Sequence, residues 1–266
     1  MTLIFDGTIQ QDWKRNGPVG SSAAGYGSGP NMYDGWSCTQ VADGIITVPA
    51  PGGRSGYAVK IKAVPGIPCG SDAQHVMIDK NIPLTYTDVY YGYSTYMDPA
   101  NIPQQDWMHY LLGLSNVGST IWNSGFYIDM NNEDTGLTVT NNLRYNHGPV
   151  LSAVQHTKGV WHDWVVHIVW STTNSGSFEI YHKLGSSSSY GPPIYSESQI
   201  ATLNPANSNV YHDMRLGLYR GANSVGTFIF YTQGYKVAPT FDEVKYGGPA
   251  ECPALTCNLT IGGSAQ

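Results

Sequence analysis

Apolar and polar residues alternate with a period of two along most of this chain, in short runs separated by clusters of Gly, Pro, Asn and Asp. The runs read "TLIFDG", "GIITVPA", "YAVKIKAV", "QHVMIDK", "DVYYGYSTYM", "HYLLGLSN", "GFYIDM", "LTVTNNLRYN", "WHDWVVHIVWS", "GSFEIYHKL", "MRLGLYRG", "GTFIFYTQGYKV" and "FDEVKYGG". A period of two is the signature of strands with one face inward. In the ninth run Trp164, Val166, Ile168 and Trp170 make one apolar face, which Phe178, Ile180 and Leu184 continue across a Gly-containing turn, predicting a core hairpin. His167 falls on the opposite face and reads as a sheet-surface histidine. In "MRLGLYRG", Met214, Leu216 and Leu218 alternate with Arg215, Gly217 and Tyr219, so a second face carries a guanidinium, a gap and a phenol. The pattern predicts two packed antiparallel sheets.

Composition supports this reading. The chain has 266 residues, with 19 Tyr, 7 Trp and 31 Gly but only 12% charged residues, the balance of a globular β protein. One domain over 1–248 is expected, with 249–266 as a tail or linker and a long surface loop over 17–36. A net charge of −6 with 13 Lys plus Arg cannot supply the basic stripe of a nucleic-acid binder. No run of 18 apolar residues is present to span a membrane. The start "MTLIFDG" lacks a basic segment followed by an apolar one, so a signal peptide is absent or already removed. Cys38, Cys69, Cys252 and Cys257 lack zinc-site spacing. Pairing of Cys38 with Cys69 and of Cys252 with Cys257 is expected in a secreted protein, four free thiols in a cytosolic one. The sequon at Asn258 agrees with secretion, and a monomer is expected.

Four of these pieces, "LIFDG", "GVWHDWVVHIVWSTTNSGSFEIYHKLG", "MRLGLYRG" and "FDEVKYGG", taken in order, resemble the concanavalin-like jelly rolls of the polysaccharide lyase group that includes glucuronan lyases and alginate lyases. The resemblance implies an all-β, two-sheet antiparallel sandwich that takes a polysaccharide along a concave sheet. In the alginate-lyase branch one strand reads YxKxGxY, onto which "DMRLGLYRG" lays Arg215, Gly217 and Tyr219. Two further motifs of that branch are unmatched. An RxEL strand has no counterpart near "SDAQHVMIDK", and a QxH strand falls on "LLGLSN" with Leu114 and Asn116 in its key places. The departures describe either a diverged lyase or a glycan-binding relative without catalysis.

A lyase acting on a uronate polymer must neutralise the sugar carboxylate, take the C5 proton and expel O4 of the next sugar. The resemblance and the strand pattern together nominate Tyr219 as base or acid. His75, which shares a strand face with Met77 and Asp79, is the second proton carrier, and Arg215 and Asn116 neutralise the carboxylate. Gly217 is expected to leave room for a sugar ring. Tyr91, Tyr93 and Tyr127 offer rings for stacking, and Asp129 a partner for hydroxyls. The fold group also implies a structural calcium tying the first strand to the last, with Asp6 and Asp242 as its carboxylates. Two other classes stay open: a carbohydrate-binding module, and an adhesin-like surface domain. A glycosidase needs two flanking carboxylates, and none of the five Glu, at 133, 179, 197, 243 and 251, lies in an ExDxE-like strand.

Overall fold

The structure, a computed structural model, describes residues 3–7, 43–65, 73–101, 108–109, 113–115, 125–130, 137–141, 150–151, 157–187, 189–203, 211–221 and 223–246. Its elements are β1 (Phe5–Gly7), β2 (Ile45–Pro49), β3 (Tyr57–Ala63), β4 (Ala73–Pro83), β5 (Asp88–Met97), β6 (Met108–His109), β7 (Gly113–Ser115), β8 (Gly125–Met130), β9 (Leu137–Asn141), β10 (Val150–Leu151), β11 (Trp161–Val169), β12 (Gly176–Leu184), β13 (Tyr195–Ile200), β14 (Tyr211–Gly221), β15 (Phe228–Ala238) and a one-turn helix α1 (Phe241–Val244). Among these residues no helix is long and apolar enough to cross a membrane.

The strands form two antiparallel sheets. One runs β13-β12-β11-β5-β15-β3-β2, with β1 also on β15; the other runs β10-β9-β8-β6-β14-β4, with β7 joining β14 to β8. A single apolar cluster joins them. Val76, Ile78, Ile82, Leu216 and Leu218 from the seven-stranded sheet meet Val59, Ile61, Val89, Trp164, Val166, Ile168, Phe178, Ile180, Phe228 and Phe230 from the eight-stranded one. This is the sandwich that the period-two pattern requires, since each sheet buries the face its alternation makes apolar.

One expectation changes, and two strands appear that the pattern did not mark. "FDEVKYGG" is not a closing strand: Phe241–Val244 form α1, which opens after Thr240 with Asp242 and Glu243 in its first turn, where carboxylates suit the helix end. β13, "YSESQI", was invisible to an apolar-periodicity reading because it is a mostly exposed strand with little apolar content. β10, of two residues, is too short to show a period.

The outer face of the eight-stranded sheet is covered by its own chain. Val244 of α1 packs with Val165 and Ala238, and its carbonyl oxygen lies 2.1 Å from where a Cβ on Gly92 would stand, so only glycine admits the helix there. Beside it, buried Asp163 accepts hydrogen bonds from Arg54 and from Ser94 Oγ (2.6 Å). The Arg54 guanidinium is stacked between Trp161 (4.5 Å) and Tyr246 (3.4 Å). His167 sits on this face as expected, between Glu179 (2.9 Å) and Asp88 (2.8 Å) and flat against Tyr90.

On the inner face, buried His162 pairs with half-buried His182. His162 Nε2 lies 3.2 Å from the Thr157 carbonyl and Nδ1 lies 2.9 Å from His182 Nε2. A carbonyl only accepts, so His162 donates through Nε2, accepts at Nδ1, and takes the hydrogen of His182 Nε2. That chain needs the His162 ring neutral, since its Nδ1 must keep a lone pair.

Candidate active site on the outer face of the seven-stranded sheet

β14 carries the site because its alternation is strict and both its flanks are paired. Leu216 and Leu218 are buried inward, and Arg220, also buried inward, donates to the Gly226 carbonyl (3.0 Å). Loss of water lowers the Arg220 guanidinium to about 10, which leaves it a cation at neutral pH. Arg215, Gly217 and Tyr219 occupy the opposite, outward face.

Register then assembles a row across the sheet. Tyr219 stands directly opposite His75 of β4 on one side and His109 of β6 on the other. His109 in turn stands opposite Asp129 of β8, and Asp129 opposite Thr138 of β9. With strands about 4.8 Å apart, the four positions from His75 to Asp129 span roughly 14 Å. A second row holds Asp79, Arg215 and Gly113; it lies four residues along β14, about 13 Å from the first. A third holds Asn81, Asp213, Ser115 and Gly125.

Register therefore places the Tyr219 and His75 positions side by side, which the sequence alone did not reveal, and Asp129 joins their row. Tyr127, two residues from Asp129 on β8, shares its face. Arg215 is half-buried on the same face but in the neighbouring row. His109 was missed: it opens a run, "HYLLGLSN", whose leucines read as an apolar strand. The signal that finds it is register, since pairing Gly113 with Arg215 brings His109 to Tyr219.

Asn116 lies outside the described residues, as do all four cysteines and Asn258.

Tyr91 and Tyr93 are corrected. They belong to β5 of the other sheet and are buried in the apolar core, where the Tyr91 hydroxyl accepts from Trp170 Nε1 (2.9 Å). Burial pushes both phenols far above their ordinary value, so neither stacks on a sugar nor moves a proton. Gly217 also has a different role from the one expected. A Cβ there would stand 2.2 Å from the Val76 carbonyl oxygen and 2.6 Å from Met77 Cα, so its missing side chain accommodates the neighbouring strand rather than a sugar ring.

The two carboxylates proposed for calcium each have a lysine beside them. Asp6 is register-paired with Lys236, and the exposed Asp242 accepts from Lys245 (2.7 Å). Calcium takes six to eight oxygen ligands. Asp6 and Asp242 would supply two of these, backbone carbonyls and water the rest, and β1 is independently joined to β15 by backbone pairing.

Three of the five glutamates are also placed. Glu179 and Glu197 lie on β12 and β13, and Glu243 on α1, so none of these three belongs to the Tyr219 row. Among the described residues that row holds one carboxylate, Asp129, and not the flanking pair of a glycosidase.

Comparison with known proteins agrees with the fold. The structure is similar to an endo-β-1,4-glucuronan lyase from the fungus Trichoderma reesei, at a TM-score of 0.59 and 16% identity, covering 90% of this chain and 100% of that one. It is also similar to the catalytic domain of a glycoside hydrolase family 131 protein from Coprinopsis cinerea (TM-score 0.50, 12% identity, 74% and 75% covered). A marine alginate lyase from Aplysia kurodai gives a TM-score of 0.49 at 14% identity, with 74% and 87% covered. At these identities the likeness is one of fold. No match is found among curated protein sequences. The family model described as polysaccharide lyase matches residues 33–236, a span containing His75, His109, Asp129, Arg215 and Tyr219, and on that match the chain belongs to the polysaccharide lyase family.

Proposed function

We propose that this protein cleaves a uronic-acid-containing polysaccharide, glucuronan- or alginate-like, by β-elimination on the outer face of its seven-stranded sheet. The observation that carries the reading is the register of Tyr219 with a histidine on each neighbouring strand. Elimination needs one group to take the C5 proton and another to give a proton to O4. The C5–H electron pair becomes the C4=C5 double bond as the C4–O4 bond breaks. A phenol with an imidazole one strand away offers two such groups within one sugar's reach. Tyr219 and His75 are assigned the proton transfers. Arg215, a row away, takes the carboxylate of an adjacent sugar.

The test is to incubate the protein with glucuronan, alginate, pectate and hyaluronan and follow the ultraviolet absorbance of the unsaturated uronate. Product from one polymer that is lost in Tyr219→Phe, at unchanged thermal stability, supports the assignment. Retention of a polymer on an affinity gel without any product refutes it, and shows that the same face only holds sugar.

A further inference from the structure

The two histidines that flank Tyr219 stand in different company. His75 lies on β4, the end of the described path of its sheet, and its cross-strand neighbour there is Tyr219. His109 lies between Tyr219 on β14 and Asp129 on β8. Directly opposite positions of an antiparallel pair hold their Cβ atoms about 4.5–5.5 Å apart, close enough for a carboxylate to favour an imidazolium. Like groups whose surroundings push their proton affinities apart are suited to different tasks.

The reaction has a matching need. The carboxylate that must be neutralised belongs to the same sugar that loses its C5 proton, so its partner belongs in the row of Tyr219. Arg215 is about 13 Å along the strand, in the row of Asp79 and Gly113. Among the described residues the Tyr219 row consists of His75, Tyr219, His109, Asp129 and Thr138, and His109 is the member with an acid beside it.

Resting on the lyase reading above, we infer that Asp129 holds His109 as an imidazolium and that this cation neutralises the carboxylate of the reacting uronate. Asp129 is then a positioning residue and not a sugar ligand. His75 and Tyr219 are left to carry the protons, and His109 keeps its own throughout. Among the described residues, the register positions beside His109 are Tyr219 on β14 and Asp129 on β8, with Gly217, Gly221 and Tyr127 two positions along the same strands and Arg215 beyond.

Two readouts test this. In the first, the imidazole resonances of ¹⁵N-histidine-labelled protein are titrated, with His109 assigned through His109→Gln. In the wild type His109 should titrate above an ordinary histidine, and in Asp129→Asn its midpoint should fall by about one pH unit. An unchanged midpoint overturns the pairing whether or not the protein is active. In the second, kcat and KM are followed against pH on the polymer that gives product. In Asp129→Asn the alkaline limb of kcat should move down by about one pH unit with KM within about twofold, and Asp129→Glu should restore it. A raised KM with kcat intact overturns the inference and makes Asp129 a sugar ligand. Absence of product from the wild type refutes the lyase reading itself, and shows before any variant is made.

Discussion

Acidification should loosen this protein through the His162–His182 pair. Burial, followed by the neighbouring His162, holds the His182 ring down to about 3, and burial also lowers His162 despite the opposing pull of the Thr157 carbonyl and Asp163. An unfolded histidine titrates near 6.5. Between those values the unfolded chain binds a proton that the native state refuses, so the pair's contribution is complete above about 6.5 and is lost as pH falls through that window. For His182 alone the linkage relation gives about 2 kcal/mol at pH 5 relative to pH 7. Discounting for the part of the ring that water reaches leaves roughly 1–2 kcal/mol. For a chain of this size that is roughly 2–4 °C in Tm. The assay is differential scanning calorimetry at pH 7 and pH 5 on the wild type and His182→Gln, whose amide still donates to His162 Nδ1 but does not titrate. The variant should lose at least half of the drop. An equal drop in both proteins would show that acid acts elsewhere and refute the reasoning.

Tyr91→Phe should leave polysaccharide retention on an affinity gel unchanged while costing about 1–3 kcal/mol in denaturant unfolding, because the buried Trp170 Nε1–H loses its acceptor. Asp163→Asn leaves Arg54 and the nearby Lys183 (3.6 Å) without their buried counter-charge and should cost about 3–5 kcal/mol by the same measurement. Gly92→Ala forces α1 off the sheet against the Val244 carbonyl. A loss of about 1–3 kcal/mol, with faster proteolysis near residue 241, is expected.

Strands with one wet face were legible in the sequence. β12 alternates in burial because water selects one phase of its pleat, and Leu216, Leu218, Trp164, Val166, Ile168, Phe178 and Ile180 lie inward as the alternation names them, whereas Leu184, which it also names, is exposed. β5 was not legible in the same way. It is buried on both faces, with Tyr91 and Tyr93 in the core and Tyr90 and Tyr96 beneath the covering segments, so no polar phase marks which side is which. Aromatic richness there reports double burial rather than sugar stacking. The site was half legible. Tyr219, Arg215 and His75 could be seen strand by strand, but the row through His109 and Asp129 depends on how four strands separated in sequence are aligned, and nothing local encodes that.

Gly217 gives that alignment a physical lock. At this position of β14 the Val76 carbonyl of β4 occupies the place of a side chain. A slip of β14 by one residue would bring Leu216 or Leu218 against that oxygen and at the same time turn Tyr219 inward. The glycine therefore acts as a notch that admits the strand at a single setting. Misaligned but compact forms are excluded by collision, so assembling the sheet and assembling the Tyr219 row become the same event.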